Sequence, residues 1–206
     1  MSDHGQRLDG VIAAIDEANT RDLKTIAIDG RAVPAELVYG RRMSDTLAAM
    51  NPNASELLKI AVRGQHIERW TSPRTSYQAG RAGYLKWRSD LKDFHASRLG
   101  EIMAAAGYAP QDAARVGALV RKERLRSDPE AQMLEDVACV VFLAHYLDDF
   151  LGKTDADDAK LARILARTWN KMSAQGRAQA GKLDLPPHVL ALLRRGLEEI
   201  RGAGGP

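Results

Sequence analysis

Histidine, carboxylate and arginine side chains are concentrated where this chain is otherwise apolar, and together these types could hold a metal ion and a phosphate. His66 lies within the stretch Glu56 to Trp70, among Leu57, Leu58, Ile60, Ala61, Val62 and Ile67, so its imidazole is expected to be at least partly enclosed. His95 follows Tyr84, Arg88 and Leu91 at helical spacing and shares a face with them. Glu135 and Asp136 are adjacent carboxylates at the entrance to an apolar run that ends at Ala144. A buried carboxylate needs a cation, a metal or a set of donors. Two histidines and a carboxylate from three helices make a divalent-metal set, with His66, His95 and Asp136 as ligands and Mn, Fe, Ni or Zn as the ion. Such an ion lowers the pKa of bound water, and Glu135 or Glu68 would then be the catalytic base. The competing reading is structural: the histidines as hydrogen-bonded core residues, the carboxylates paired with arginines in a buried network.

A second signal overlaps the first. Arg69, Arg74, Arg81 and Arg88 are interleaved with Trp70, Tyr77, Tyr84, Trp87 and Phe94. Guanidinium groups fork onto phosphate and aromatic rings stack on bases. Arg69, Arg74, Arg81, Arg88, Tyr84 and Trp87 are therefore expected to bind substrate, a phosphate-containing small molecule or RNA. Against this stands the reading in which the rings are core and the cations solvate helix surfaces. Two function classes follow: a metal-dependent phosphohydrolase acting on a nucleotide or other phosphate ester, or a non-catalytic helical module that binds RNA or a nucleotide. The second needs no metal, and its affinity for nucleic acid falls steeply with salt.

Composition bounds these readings. The 206 residues suffice for one full core, and 30 basic against 27 acidic residues give a net charge of only +3. Overall charge therefore does not imply nucleic acid; only local clustering can. The single cysteine, Cys139, cannot form an intrachain disulfide and sits in an apolar run, so it is read as core and the compartment as a reducing cytoplasm. The N-terminus lacks the apolar stretch of a signal peptide, and the apolar run from Val137 to Ala144 is far shorter than the ~20 residues that span a bilayer. No membrane association is expected.

The elements that must position these residues read as helices. Leu8, Val11, Ile12 and Ile15 form one amphipathic stripe over Gln6 to Ala18. Leu23 to Ile28 reads as a connector, with a lone strand as the minor alternative. A second helix runs from Pro34 to Met50, and a third, capped by Asn53 or Ser55, runs to about Trp70. The fourth is continuous from Tyr84 to Ala106, the fifth spans Pro110 to about Lys122, and the sixth Glu130 to Phe150. Asp157 to Met172 and Pro187 to Arg201 complete the set. With no sustained period-two alternation, the expectation is an all-α protein: a single irregular domain over 1–206 of about eight helices, with 202–206 as a flexible tail.

Motifs through most of the chain support a family assignment. Tyr39-Gly-Arg-Arg-Met43, Gln65-His-Ile-Glu-Arg-Trp70, Gly80-Arg-Ala-Gly-Tyr84, Trp87-Arg88, Phe94-His-Ala96, Leu134-Glu-Asp-Val-Ala-Cys139 and Lys171-Met-Ser173 together resemble the uncharacterised DUF-4202 family. That resemblance implies a cytosolic helical domain and carries no established activity. A more distant resemblance is to the HD-domain metal phosphohydrolases, whose ligands run His, His-Asp, Asp. In that order His66, His95 and Asp136 would be ligands, with Ala96 standing where the doublet aspartate belongs.

Overall fold

The computed structural model describes residues 3–154 and 156–203. The fold is all-α with one small hairpin. Helix α1 (Asp3–Asn19) leads into strands β1 (Thr25–Ile28) and β2 (Arg31–Pro34), which pair antiparallel from Thr25↔Pro34 to Ile28↔Arg31. Thr25–Ile28, within the stretch read first as a connector, is therefore a strand, the minor alternative, but paired in a hairpin rather than alone. Asp29 and Gly30 both adopt positive φ, 49° and 76°, the conformation that closes a tight two-residue hairpin turn. The adjoining loop is tied down by Asp22, whose carboxylate accepts from the Lys24 and Glu36 amides.

Pro34 then delivers the chain into α2 (Ala35–Met50). Helix α3 (Glu56–Arg63) starts where expected, with the Ser55 side chain accepting from the Leu58 amide, but stops well before Trp70. Gly64 is its C-cap, and a Cβ there would lie 2.3 Å from Leu99 Cδ2, so glycine lets the chain pass Leu99 at this point. Two short 3-10 turns, Arg69–Thr71 and Arg74–Ser76, follow, and α4 (Gly80–Ala105) begins earlier than the glycines suggest. Helix α5 (Pro110–Arg121) has proline in its first turn, where the missing amide costs no hydrogen bond.

Helix α6 (Pro129–His145) ends before Phe150 because Tyr146 leaves helical geometry, and α7 (Leu147–Lys153) restarts behind it. Helices α8 (Asp158–Lys171), α9 (Ala174–Ala180) and α10 (Pro187–Ala203) complete the order, making ten α-helices among the described residues. Of the expected tail 202–206, residues through Ala203 belong to α10, and 204–206 lie outside the described residues.

The chain divides into two compact units, 1–134 and 135–206, with the division inside α6. In the first, α4 packs along α5, α3 lies against α5 and α2, and α1 touches α2, α3 and α4. Val11, Ile15, Met43, Leu58, Ile60, Leu99, Met103 and Leu119 are fully enclosed. In the second, α10 packs on α8. No helix among the described residues is long and apolar enough to cross a membrane.

Candidate anion-binding cavity and the surroundings of the buried carboxylates

Helix α4 supplies most of one cavity in the first unit. Tyr84, Trp87, Arg88, Leu91, Lys92 and His95 recur at spacings of three and one, which places all six on one helical stripe. The opposing wall comes from the turn after α3, with Gln65, His66 and Arg69, and from the end of α5, with Val120 and Lys122. The cavity is open on one side and has a volume of about 150 Å³. Two left-handed residues shape it. Lys122 has φ 60° as the C-cap of α5, and Glu68 has φ 49° ahead of Arg69. Each is a non-glycine residue held in a strained region, the kind of feature that clusters at ligand sites.

Four cations, Arg69, Arg88, Lys92 and Lys122, line the cavity, and no carboxylate is among the described lining residues. The Arg69 guanidinium sits 5.2 Å above the Trp87 ring, and Arg88 lies 5.8 Å from the Tyr84 ring. The Trp87 indole N–H donates to the Ser72 carbonyl at 2.9 Å, fixing the ring. Lys92 Nζ donates to the Arg121 carbonyl at 3.1 Å.

The two histidines meet here, with ring centroids 6.1 Å apart. His95 is buried, and its Nδ1 is 2.8 Å from the Ile67 carbonyl. A carbonyl only accepts, so Nδ1 carries the proton and Nε2 presents a lone pair. Burial, together with the charges of His66 and Arg69, pushes His95 down to about 3 against the Ile67 hydrogen bond. The ring is neutral at pH 7. His66 stacks on Tyr39 at 4.0 Å, and its Nδ1 lies 3.4 Å from both Glu36 Oε2 and Arg69 Nη1. Burial and the Arg69 charge hold His66 below the usual range despite the Glu36 carboxylate. Burial raises Glu36, but the hydrogen bond and charge of His66 and the charges of Arg69 and Lys24 prevail and lower it. Neutral imidazoles beside four cations make an anion-attracting wall with two acceptor-bearing groups at its base.

Several expected residues lie elsewhere. Glu68 is not part of the lining; its carboxylate pairs with Arg98 at 2.7 Å, and its amide donates to Asn19. Arg74 clasps the loop before α4, donating to the carbonyls of Tyr77, Gln78 and Gly80 at 3.0, 2.8 and 3.3 Å. Arg81 is exposed and also outside the lining. Residues not expected as site residues are Gln65, Lys92, Lys122, Glu36 and Tyr39. The α4 stripe in the sequence points to Lys92, whereas nothing local predicts that Lys122 turns back from the end of α5.

Glu135 and Asp136 belong to the second unit, where both are buried. Asp136 anchors the start of α9. One of its oxygens accepts from the Ser173 amide at 2.8 Å, the other from the Ser173 hydroxyl. That hydroxyl in turn accepts from the Gly176 amide, capping the helix. A Cβ at Gly176 would lie 2.6 Å from the Asp136 carboxyl carbon, so only glycine admits the carboxylate here. Glu135 lies 3.7 Å from Lys171 Nζ and accepts weakly from the Cys139 thiol. Cys139 is buried and in no disulfide. Among the described residues, no group of three or more histidine, cysteine, aspartate or glutamate side chains has the arrangement of a metal site.

An all-α fold with a cationic, histidine-floored cavity is what the geometry defines. The chain belongs to the family described as Domain of unknown function (DUF4202), whose model matches residues 9–193. No curated protein and no solved structure matches the chain.

Proposed function

We propose that the first unit binds a small phosphate-bearing molecule in the cavity between α4, the turn after α3 and the end of α5. The observation that carries this reading is the wall itself: Arg69, Arg88, Lys92 and Lys122 converge with no carboxylate among the described lining residues. A lining of cations without a carboxylate attracts an anion, and guanidinium forks match phosphate oxygens. Arg69 and Lys92 are half-buried, so their interaction with an anion is screened less than that of surface charges.

Isothermal titration with inorganic phosphate tests it. The expected result is saturable binding that weakens with added salt and falls by at least about tenfold in Arg69→Met, the loss of one charge-assisted hydrogen bond. Equal heats for the parent protein and this variant would overturn it.

A metal-dependent phosphohydrolase is the second reading, favoured by one observation. The His95 Nδ1–H is fixed on a carbonyl, leaving Nε2 in the tautomer that metal-bound imidazoles use. In that reading His66 and His95 hold a divalent ion, Mn, Fe, Ni or Zn, that supplies Lewis-acid chemistry at the phosphate. Elemental analysis of untagged protein beside His66→Ala and His95→Ala decides it. Near-stoichiometric metal, lost in both variants, supports hydrolysis; metal-free folded protein that still binds phosphate supports the binding module.

A further inference from the structure

The hairpin of the first unit leaves one strand edge open. The Ala35 amide donates to the Lys24 carbonyl at 2.8 Å, so Lys24 and Ala35 form a hydrogen-bonded pair that extends the antiparallel ladder. Such pairs alternate with non-bonded ones, which makes Ile26↔Val33 and Ile28↔Arg31 the bonded pairs. Thr25 and Ala27 fall between them, and their backbone N–H and C=O groups point away from β2. Both residues are exposed, and no turn, loop or side-chain hydrogen bond reaches either one among the described residues.

The two edges of the hairpin are not equal. On β2 the outward groups belong to Ala32 and Pro34, and proline has no N–H to offer. Strand β1, Thr25-Ile-Ala-Ile28, carries neither proline nor charge, the devices by which natural edges resist pairing. Leu23, two residues ahead of it, is 95% exposed. A strand that fits this edge must offer donors and acceptors at alternate positions, as the edge itself does. Turned antiparallel about a two-fold axis through Ile26, Thr25 faces the Ala27 of a second copy and Ala27 faces its Thr25. Four hydrogen bonds then satisfy every outward group on both strands. No like charges meet within the paired residues, and the same register brings the Lys24 end of one strand to the Asp29 end of the other. Leu23 is set against the turn of the second copy.

We infer that β1 is a self-association edge, through which two copies of the chain pair antiparallel over Thr25–Ile28 into one four-stranded sheet centred on Ile26. An isolated two-stranded hairpin is marginal, whereas four strands is an ordinary sheet size. The contact is short beside the ~800 Å² per partner of a standard interface, so the dimer is weak and reversible, with a dissociation constant on the order of 100 µM. No hairpin residue lines the cationic cavity, and the association stands or falls independently of phosphate binding.

The test is sedimentation velocity at loadings from about 10 µM to about 1 mM, on either side of the expected constant, for the untagged parent protein and two double variants at the exposed positions. The parent should pass from monomer to dimer, and amide hydrogen exchange at Thr25 and Ala27 should slow over the same range. Thr25→Lys with Ala27→Lys sets like charges opposite each other twice across the axis and should stay monomeric throughout. Thr25→Lys with Ala27→Glu sets opposite charges there and should dimerise at least as well as the parent at low salt. A parent that is monomeric at the highest loading overturns the inference, and binding of an added Thr-Ile-Ala-Ile peptide by that monomer would make the edge a site for a foreign strand instead. Equal dimerisation of the parent and the double-lysine variant places the contact elsewhere and overturns it too. A monomeric lysine-glutamate variant overturns the register through Ile26. Should a variant not fold by circular dichroism, the concentration series and residue-resolved exchange of the parent decide alone.

Discussion

Arg63 and Arg69 stand on either side of Gly64 and share a chemistry, yet they serve opposite ends. Arg63 is buried and gripped by Asp16, with Nε and Nη2 donating to its two carboxylate oxygens at 2.7 and 2.6 Å and Nη1 to the Ser44 hydroxyl. Its charge is spent inside the fold. Arg69 faces the cavity over Trp87 and beside His66, and no carboxylate forms an ion pair with it among the described residues. Its charge is available to a ligand. What separates a structural arginine from a binding one is whether the fold sets a carboxylate in direct contact with it, which composition does not reveal.

The comparison breaks if the two respond alike to removal. Arg63→Met leaves Asp16 with only the more exposed Arg41, 3.9 Å away, and a loss of up to about 3 kcal/mol in chemical denaturation is expected, as for one-sided breakage of a largely buried pair. Phosphate binding by the folded protein should be unchanged. Arg69→Met should do the reverse, holding denaturation midpoints within about 1 kcal/mol while costing about 1.4 kcal/mol or more of phosphate affinity, the tenfold loss measured by calorimetry.

Acid should sharpen the contrast, because the cavity floor is where protons are excluded. His95 is held down to about 3 by burial and the charges of His66 and Arg69, so the unfolded chain binds a proton that the native state refuses. Its contribution to stability is fully present above about pH 6.5, the unfolded value. As pH falls from there toward 3, stability should drop by up to about 1.4 kcal/mol per pH unit from this group. His66 is lowered too, chiefly by burial, and adds in the same direction below the same value. Glu36, with its own value held down by His66 and Arg69, loses its contribution lower in the acid range. Denaturation midpoints of the parent and His95→Gln across pH 4–7 check this; an equal slope in both removes His95 from the account.

The smallest effect expected is at Lys122. Lys122→Gly relieves a left-handed residue at a helix end and should raise stability by up to about 1 kcal/mol, while weakening phosphate binding severalfold. A gain in stability together with weaker phosphate binding would place strain at the site. Loss of stability together with loss of binding would instead make Lys122 a structural cap.

How far the residues spoke for themselves differs from place to place. The stripe that carries Tyr84, Trp87, Arg88, Leu91, Lys92 and His95 is legible because a helix repeats every 3.6 residues, so spacing alone puts side chains on one face. Ser55 as a cap is legible for the same local reason, and the Asp29-Gly30 turn was there to be read as a hairpin signal. The early end of α3 was not. The glycine that caps it passes Leu99, which lies 2.3 Å from where a Gly64 Cβ would stand, a contact between segments far apart in the chain. Asp136 was equally opaque: a buried carboxylate suggests a metal or a cation until Ser173 and Gly176 are seen to supply its donors.

Local periodicity therefore determined the all-α class, most helix limits and the cationic face of α4, because those follow from backbone geometry within a few residues. Which arginines keep their charge for a ligand and which histidine tautomer is fixed were decided only by tertiary structure. Each of these depends on donors and acceptors brought in from distant segments. An arginine or histidine is complete as a letter, but its chemistry is set by the neighbours that satisfy it or leave it unsatisfied.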